Sequence, residues 1–142
     1  MTVQTNAKQL ADAWARMAKS VEPEMKAATL RATRYMWAVS KLEMRRLIYD
    51  KAIPTKEDGK PAWRRTGNLR RSERYRMLSP YIGVVSNDAV YARERHERGN
   101  TRYPAPWRDE AIKKSDVGRR KIYQAHVKNL IAAGKLQGVK LI

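Results

Sequence analysis

The stretch TGNLRRSERYRMLSPYIGVVSND, residues 66–88, decides the fold class because it has the features of a β-hairpin. Ser79-Pro80 separates two short runs, Arg74–Leu78 and Tyr81–Ser86, and the second run has the β-branched content of a strand. The two runs therefore predict a pair of antiparallel strands. Asn87-Asp88 supplies the turn that is expected to follow them.

Residues 6–50, before the hairpin, carry the apolar periodicity of helices. Pro23 interrupts the pattern and predicts either two helices or one helix kinked near Ser20–Glu22. Both parts have an apolar face that either packs on the chain's own sheet or faces a neighbour in an oligomer. The face consists of Leu10, Trp14, Met17 and Val21 in the first part and Ala28, Ala32, Tyr35, Val39 and Leu42 in the second.

The connecting segments are marked by glycine and proline. Lys51–Ala62 is predicted to be a loop, and its length indicates mobility or contact with a partner. Thr66 can cap a short helical turn that points Leu69 inward. Val90–Arg98 is predicted to form a short helix stopped by Gly99, and Tyr103–Pro106 must be extended.

The C-terminal part predicts a helix that begins at Trp107 and ends at Gly134, with acidic residues in its first turn. Gly118 is expected to break or bend this helix. The segment 135–142 is expected to be frayed or held by a partner. The first-turn acids are Asp109 and Glu110, and the apolar stripe is Tyr123, Val127, Leu130 and Ile131.

Together these elements predict an α+β fold with long N-terminal helices, a small antiparallel sheet and a C-terminal helix. A length of 142 residues fits one domain, 1–142. Its parts are a helical region (1–50), a motif-bearing sheet region (63–101), the C-terminal helix (107–134) and a flexible tail (135–142).

Composition narrows the class of protein. Apolar residues make up 42% of the chain, but Phe is absent, so the core depends on Trp, Tyr, Met and aliphatic side chains. We expect a core whose Trp and Tyr polar atoms reach water at its edges, or a core completed by a neighbouring subunit. Cys is also absent, which excludes disulfides and thiolate metal sites. No run of about 18 apolar residues predicts a membrane span, and Met1–Lys8 has no apolar signal core.

The formal charge is +17, and basic residues outnumber acidic ones throughout the chain. Such a field favours nucleic acid, acidic protein surfaces or anionic lipid as partners. The densest basic segment interleaves arginines with Trp63 and Tyr75. It predicts contact with DNA, contact with an acidic protein, or a solvated and partly ion-paired surface. The arginines of this segment are Arg64, Arg65, Arg70, Arg71, Arg74 and Arg76.

Residues suited to catalysis are few. His96 lies between Glu94 and Glu97 without a second histidine four residues away, which favours a solvated helical face over a metal site. His126 is expected to serve the surface or the packing. No phosphate-binding glycine loop and no nucleophile elbow occurs. We therefore predict a protein that is not an enzyme and that needs no cofactor or metal.

Short signatures in the middle of the chain resemble those of the HK97 gp10-like tail-completion or neck proteins of tailed bacteriophages, which are similar in role to the lambda minor tail protein Z. The resemblance covers 66–111, and the surrounding helices match in type and order only. Arg98 and Trp107 stand where the family commonly has an aromatic residue and Phe. The residues that carry it are Thr66, Gly67, Asn68, Leu69, Arg70, Ser72, Val84, Tyr91, Ala92, Glu97, Gly99, Pro106 and Trp107.

The resemblance implies a virion structural protein, a neck or tail-completion component that joins the head connector to the tail as part of a ring. Its implied partners are copies of itself, the connector or head-closure proteins, and the tail terminator or tail tube proteins. The basic surface would meet an acidic ring or the DNA in the channel. Assembly would take place in the host bacterial cytoplasm, and the final location would be the virion. The alternative is a DNA-binding protein without sequence specificity that uses Arg64–Arg76.

Overall fold

The computed structural model describes residues 3–53, 55–61, 67–89, 92 and 106–135, with side chains from residue 7 onward. Its elements, in chain order, are α1 (Val3–Met44), a π-helical turn (Arg45–Tyr49), α2 (Asn68–Arg71), β1 (Glu73–Ser79), β2 (Ile82–Asn87) and α3 (Trp107–Ala132). The predicted α+β class is confirmed: a long N-terminal helix, a two-stranded antiparallel sheet and a C-terminal helix.

The helix α1 continues without interruption through Pro23, so the prediction of two separate helices is wrong. Proline removes one N–H from the helical ladder. The residues around it include Ala, Lys, Met and Glu, which are strong helix formers and sustain the helix on both sides. The π-helical turn then carries the helical path to Tyr49, close to the predicted end at Asp50.

The strands β1 and β2 form the predicted hairpin. Glu73 pairs with Asn87 at its open end and Ser79 with Ile82 beside the turn, and the register shifts between Met77 and Ser79. Strand β1 extends one residue beyond its predicted limits at each end, whereas β2 begins and ends one residue later than predicted, so Asn87, predicted in the turn, ends β2.

The predicted loop at 51–62 is not wholly irregular, since Thr55 and Pro61 form an isolated antiparallel bridge. Between them, the Lys56 N–H donates to the Lys60 carbonyl at 2.8 Å, and Gly59 has a φ of 80° that favours glycine. This segment is therefore a tight turn on a short bridged stem.

The helices α1 and α3 pack against each other in antiparallel orientation. Tyr123 Oη donates to Thr29 Oγ1 at 3.2 Å near one end of the contact, and Lys114 Nζ donates to Glu43 Oε1 at 2.7 Å near the other. Gly118 was expected to break or bend α3, but the helix is continuous there. The glycine instead allows a close crossing: a Cβ at this position would lie 2.4 Å from Tyr35 Cε1.

The C-terminal end of α3 is closed by Gly134, as predicted. Its φ is 71°, its N–H donates to the Ile131 carbonyl, and the Lys135 N–H donates to the Leu130 carbonyl, each at 3.0 Å. These two bonds form a Schellman motif, which satisfies carbonyls that the helix end would leave free.

The buried core is small and lies where the end of α1, the hairpin and the start of α3 meet. Leu69 is buried there, as the predicted capped turn requires. The full cluster is Met44, Ile48, Leu69, Ala89, Ala92 and Trp107. None of the helices described above combines the length and the apolar content that a bilayer crossing needs.

Candidate interaction surfaces

Four of the six arginines in the predicted basic segment lie among the described residues, and all four are exposed. Arg70 and Arg71 belong to α2, and Arg74 and Arg76 alternate with inward residues along β1. We call these four the arginine face. Arg64 and Arg65 lie outside the described residues, as does Trp63.

Tyr75 does not belong to the arginine face, so the predicted interleaving of tyrosine and arginine is wrong in space. Successive residues of a strand point to opposite sides of the sheet. Tyr75 therefore packs against α1, with its ring centroid 5.2 Å from that of Trp37. The Trp37 indole N–H donates to the Glu73 carbonyl at 2.9 Å. This ring is engaged in packing and does not form part of a stacking platform for bases.

The charges of the arginine face are mostly available to a partner. Arg74 Nε lies 3.2 Å from Asp88 Oδ2, but both side chains are about two-thirds exposed and such pairs contribute little stability. Arg70 and Arg76 form no ion pair with another residue in the part of the chain that the structure describes. The face therefore presents net positive charge to solvent.

The turn of the hairpin carries apolar residues beside the arginine face. Leu78, Tyr81 and Ile82 are each more than half exposed. Within the described residues each strand has one paired edge, because the sheet contains only β1 and β2. An unpaired strand edge and an apolar turn are both sites where another chain can add.

The first half of α1 has no covering element among the described residues. Ala7–Lys19 is exposed throughout, including Leu10 at 53%, Trp14 at 63% and Met17 at 38%. For this half, the prediction that the apolar face packs on the chain's own sheet is wrong. We call Leu10, Trp14 and Met17 the α1 stripe.

In the second half of α1 the buried face is rotated from the predicted one. Ala28 and Ala32 are buried as expected, but Leu42 is 61% exposed while Glu43 and Met44 are buried. Apolar spacing alone could not predict this rotation of the buried face, because polar residues that have hydrogen-bond partners occupy part of the interface.

A buried polar network, which the sequence analysis missed, joins β1 to both long helices. The Glu73 carboxylate is fully buried and accepts hydrogen bonds from Ser40 Oγ at 2.5 Å and Asn87 Nδ2 at 2.8 Å. Arg108 Nη2, from the first turn of α3, lies 2.8 Å from the same carboxylate. The only signal in the sequence is an acidic residue within an arginine-rich strand, which does not name its partners.

Arg108 is mostly enclosed, with its side chain 19% exposed. Burial lowers the pKa of Arg108, and the charge of Glu73 and its hydrogen bond oppose that shift. Its Nη1 atom is buried and has no hydrogen-bond partner among the described residues. The guanidinium therefore depends on Glu73 for its compensation.

A second buried carboxylate, Glu43, links α1 to α3. Lys114 Nζ lies 2.7 Å and Arg46 Nη2 lies 2.8 Å from its oxygens. Burial alone would raise the pKa of Glu43, but the hydrogen bonds and charges of Lys114 and Arg46 outweigh it, so the pKa is below the ordinary value. The carboxylate is held ionised as a structural contact.

His126 is buried in the α1–α3 contact, in agreement with a packing role. Its Nδ1 lies 2.6 Å from Glu24 Oε1, and its Nε2 lies 3.1 Å from Arg31 Nη1. Because a guanidinium only donates, Nε2 must accept, and the ring proton is assigned to Nδ1. The hydrogen bond from His126 lowers the pKa of Glu24.

The described residues of the family resemblance differ in environment, and several are buried or shape a turn. Gly67 has a φ of 73° and precedes α2, and its carbonyl accepts from the Arg71 N–H at 3.0 Å. The residue at this point needs a left-handed conformation that favours glycine. Leu69, Ala92 and Trp107 are buried, Ser72 and Asn68 join in a turn hydrogen bond, Val84 is half-buried, and Pro106 precedes α3.

Other predicted positions lie outside the described residues: Thr66, Tyr91, Glu97 and Gly99, the predicted helix at 90–98 apart from Ala92, and His96. No family model, curated protein or solved structure matches this chain. Within the described residues, no three acidic or histidine side chains cluster as metal ligands would.

Proposed function

We propose that this protein is a structural subunit of a tailed bacteriophage virion, a neck or tail-completion component that acts without catalysis as one copy of a ring. In this role it contacts copies of itself, connector or head-closure proteins and tail terminator or tail tube proteins. It assembles in the host bacterial cytoplasm and ends in the neck or tail of the virion.

The order of the elements supports the proposal. A long helix, a glycine-capped turn, a hairpin and a C-terminal helix follow one another as the resemblance implies. The motif residues Gly67 and Leu69 set the turn that leads into β1, which is a structural task. An arrangement of this kind suits a protein whose shared residues maintain a shape.

The observation that carries the proposal is the apolar surface that the chain leaves uncovered. Among the described residues five large apolar side chains are buried, eleven are exposed and the others are partly buried. A self-contained monomer places most of its large apolar side chains inside. The eleven are Leu10, Trp14, Met17, Leu30, Tyr35, Leu42, Leu78, Tyr81, Ile82, Ile112 and Val117.

The hairpin is the part of the surface best suited to contact the next copy in a ring. Its apolar turn and unpaired strand edges provide one half of a contact, and a different surface of the neighbour provides the other half. Such a heterologous contact closes into a ring when the rotation between copies allows it. The arginine face lies beside the hairpin turn and meets an acidic ring or the channel DNA.

The size of the assembled particle tests this role. We expect the purified protein, at near-physiological salt, to form a closed oligomer in light scattering after size-exclusion chromatography and in negative-stain electron microscopy. Leu78→Asp should leave a folded monomer, because this side chain is 56% exposed and its loss removes no core contact. Val117→Asp, at 62% exposure on α3, is the matched control and should assemble normally.

A wild-type chain that stays monomeric, also when mixed with connector or tail proteins of its own phage, would contradict the ring. Equal loss of assembly in both variants would remove the hairpin as the contact. Particles with rotational symmetry that disappear only in Leu78→Asp would support it.

DNA binding without sequence specificity is the second candidate, and the exposed arginine face favours it. Fluorescence anisotropy with a duplex at two salt concentrations measures the number of phosphates neutralised. If all four arginines contact phosphates, changing Arg70 and Arg76 to glutamine should reduce the slope of log affinity against log salt by about two. Affinity that these changes leave unaltered would assign the arginine face to protein partners.

A further inference from the structure

The α1 stripe is the continuation of a seam that α3 already fills. Leu10, Trp14 and Met17 lie on the same side of α1 as Ala28 and Ala32, because the successive spacings of four, three, eleven and four residues place side chains on one face. Ala28 and Ala32 are buried in the contact with α3, and the stripe is exposed. This face of α1 changes from buried to exposed near the point where α3 ends.

The end of α3 lies beside the start of the stripe. Gly134 and Lys135, at the closed end of α3, line a shallow groove together with Arg16, Met17 and Ser20. From this groove toward the N-terminus, Ala7–Lys19 is exposed throughout, a length of about 20 Å at the helical rise, and only its last turn lies beside the end of α3.

We propose that the α1 stripe binds an acidic amphipathic helix of a partner protein, which extends the α1–α3 seam beyond the end of α3. This deepens the proposed function, because it supplies a face through which the ring subunit joins a different protein of the virion. It does not use the hairpin, so it can fail while ring formation stands.

Charge argues for a partner of opposite sign. Arg16 and Lys135 line the groove next to Met17, and no acidic side chain lines it. The chain as a whole carries +17, so a second copy would bring like charge to the same seam. The segment 136–142 is apolar enough to fill the seam, but it contains Lys140 and no acidic residue. The segment 136–142 offers no carboxylate to Arg16 and Lys135, and a second copy brings 31 basic residues against 14 acidic ones.

The shape argues for a helix over a lipid surface. The stripe prolongs a contact that is already helix against helix. A single partner helix can therefore continue along α1 the packing that α3 begins.

The test uses the full chain and a synthetic, fluorescein-labelled peptide of about 18 residues, enough to cover the exposed length. The peptide carries leucine at helical spacing on one face and glutamate on both flanks. Binding is followed by anisotropy. Two control peptides are a scramble of the same composition, which has no apolar face, and a version with lysine in place of glutamate.

We expect saturable binding of the acidic helix in the micromolar range, with each control peptide at least about tenfold weaker. Trp14→Ala should weaken binding about tenfold or more, since a buried tryptophan is the typical hot spot of such a contact. Leu42→Ala, on the same helix with a similar exposure of 61%, is the matched control and should change binding less than about twofold.

Charge reversal gives a second pair of variants. Arg16→Glu should weaken binding strongly, whereas Lys121→Glu, exposed on α3 away from the groove, should not. The monomeric variant Leu78→Asp should bind the peptide as the parent chain does. Retained binding there, together with lost assembly, separates this surface from the ring contact.

Several outcomes would overturn the inference. Equal binding of the scrambled peptide, or equal loss with Trp14→Ala and Leu42→Ala, would reduce the contact to general charge attraction. A dimer lost only in Trp14→Ala would assign the stripe to a second copy, and Trp14-dependent binding to anionic vesicles without peptide binding would assign it to lipid. Peptide binding only after truncation at Lys135 would assign it to the chain's own last residues.

Discussion

Replacing Glu73 with glutamine should destabilise the fold more than any comparable change at the surface. The Glu73 carboxylate is fully buried and accepts three hydrogen bonds, from Ser40, Asn87 and Arg108 at 2.5–2.8 Å. It thereby holds β1, the end of β2, the middle of α1 and the start of α3 in one network.

The magnitude follows from the loss of charge compensation at Arg108. Glutamine keeps the size of the side chain but removes the negative charge and places an NH₂ group among donors. Removing one partner of a buried ion pair costs about 3–5 kcal/mol, because the other charge stays buried. The Arg108 side chain keeps 19% exposure, so we take the lower end, about 3 kcal/mol. For a chain of this length the midpoint of thermal unfolding should fall by roughly 10 °C.

Urea and thermal unfolding followed by circular dichroism measure the loss. A double-mutant cycle with Arg108→Met should show a coupling of about 2 kcal/mol, since the second change removes the uncompensated cation. Arg74→Gln, which breaks the exposed pair with Asp88, is the control and should cost about 0.5 kcal/mol or less. If Glu73→Gln costs no more than Arg74→Gln, or if the two changes at Glu73 and Arg108 simply add, the network does not stabilise the fold in the way described.

Two further predictions concern packing and pH. Gly83→Ala should lower the free energy of unfolding by about 2 kcal/mol or more, because the new Cβ would meet the buried side chain of Thr33. Gly118→Ala should change it by about 1 kcal/mol at most, since the exposed end of Tyr35 can move and alanine favours the helix. Equal losses for the two variants in urea unfolding would contradict this contrast. The lowered pKa of Glu43 stabilises the fold above the ordinary carboxyl value, and this contribution is lost as the pH falls through the lower folded-state pKa. Glu43→Gln should therefore flatten the acid limb of stability against pH, and an unchanged limb would refute the assignment.

The parts of the fold that local chemistry determines were predictable from the sequence. The β-branched run before Asn87 and the Ser79-Pro80 break are enough to define the hairpin, because strand preference and turn chemistry act over a few residues. The end of α3 at Gly134 followed from the same kind of signal, since a left-handed residue closes a helix. The cap of α2 does not belong with these, because its N-cap is Gly67 and not the predicted Thr66.

The parts that depend on distant partners were not predictable. Ser40 and Glu73 are separated by 33 residues, and Glu43 and Lys114 by 71, so nothing local links them. Periodicity identified Trp14 as part of an apolar face, but it gave no information on where the covering helix ends. The sequence analysis also grouped Tyr75 with the arginines on either side of it, although neighbouring residues of a strand point to opposite faces of the sheet.

The high charge and the exposed apolar surface have to be considered together. Apolar surface of this extent would drive association of the chain with itself, whereas +17 on every copy opposes it at distances up to the Debye length, about 8 Å at physiological salt. The hairpin turn can bury apolar side chains between copies under this repulsion when the arginine face beside it meets an acidic surface. The α1 stripe ends beside Arg16 and Lys135, so we expect its partner to bring carboxylates. The two surfaces thus differ in the partner they can accept, and one subunit can form a ring with one of them while it joins a different protein with the other.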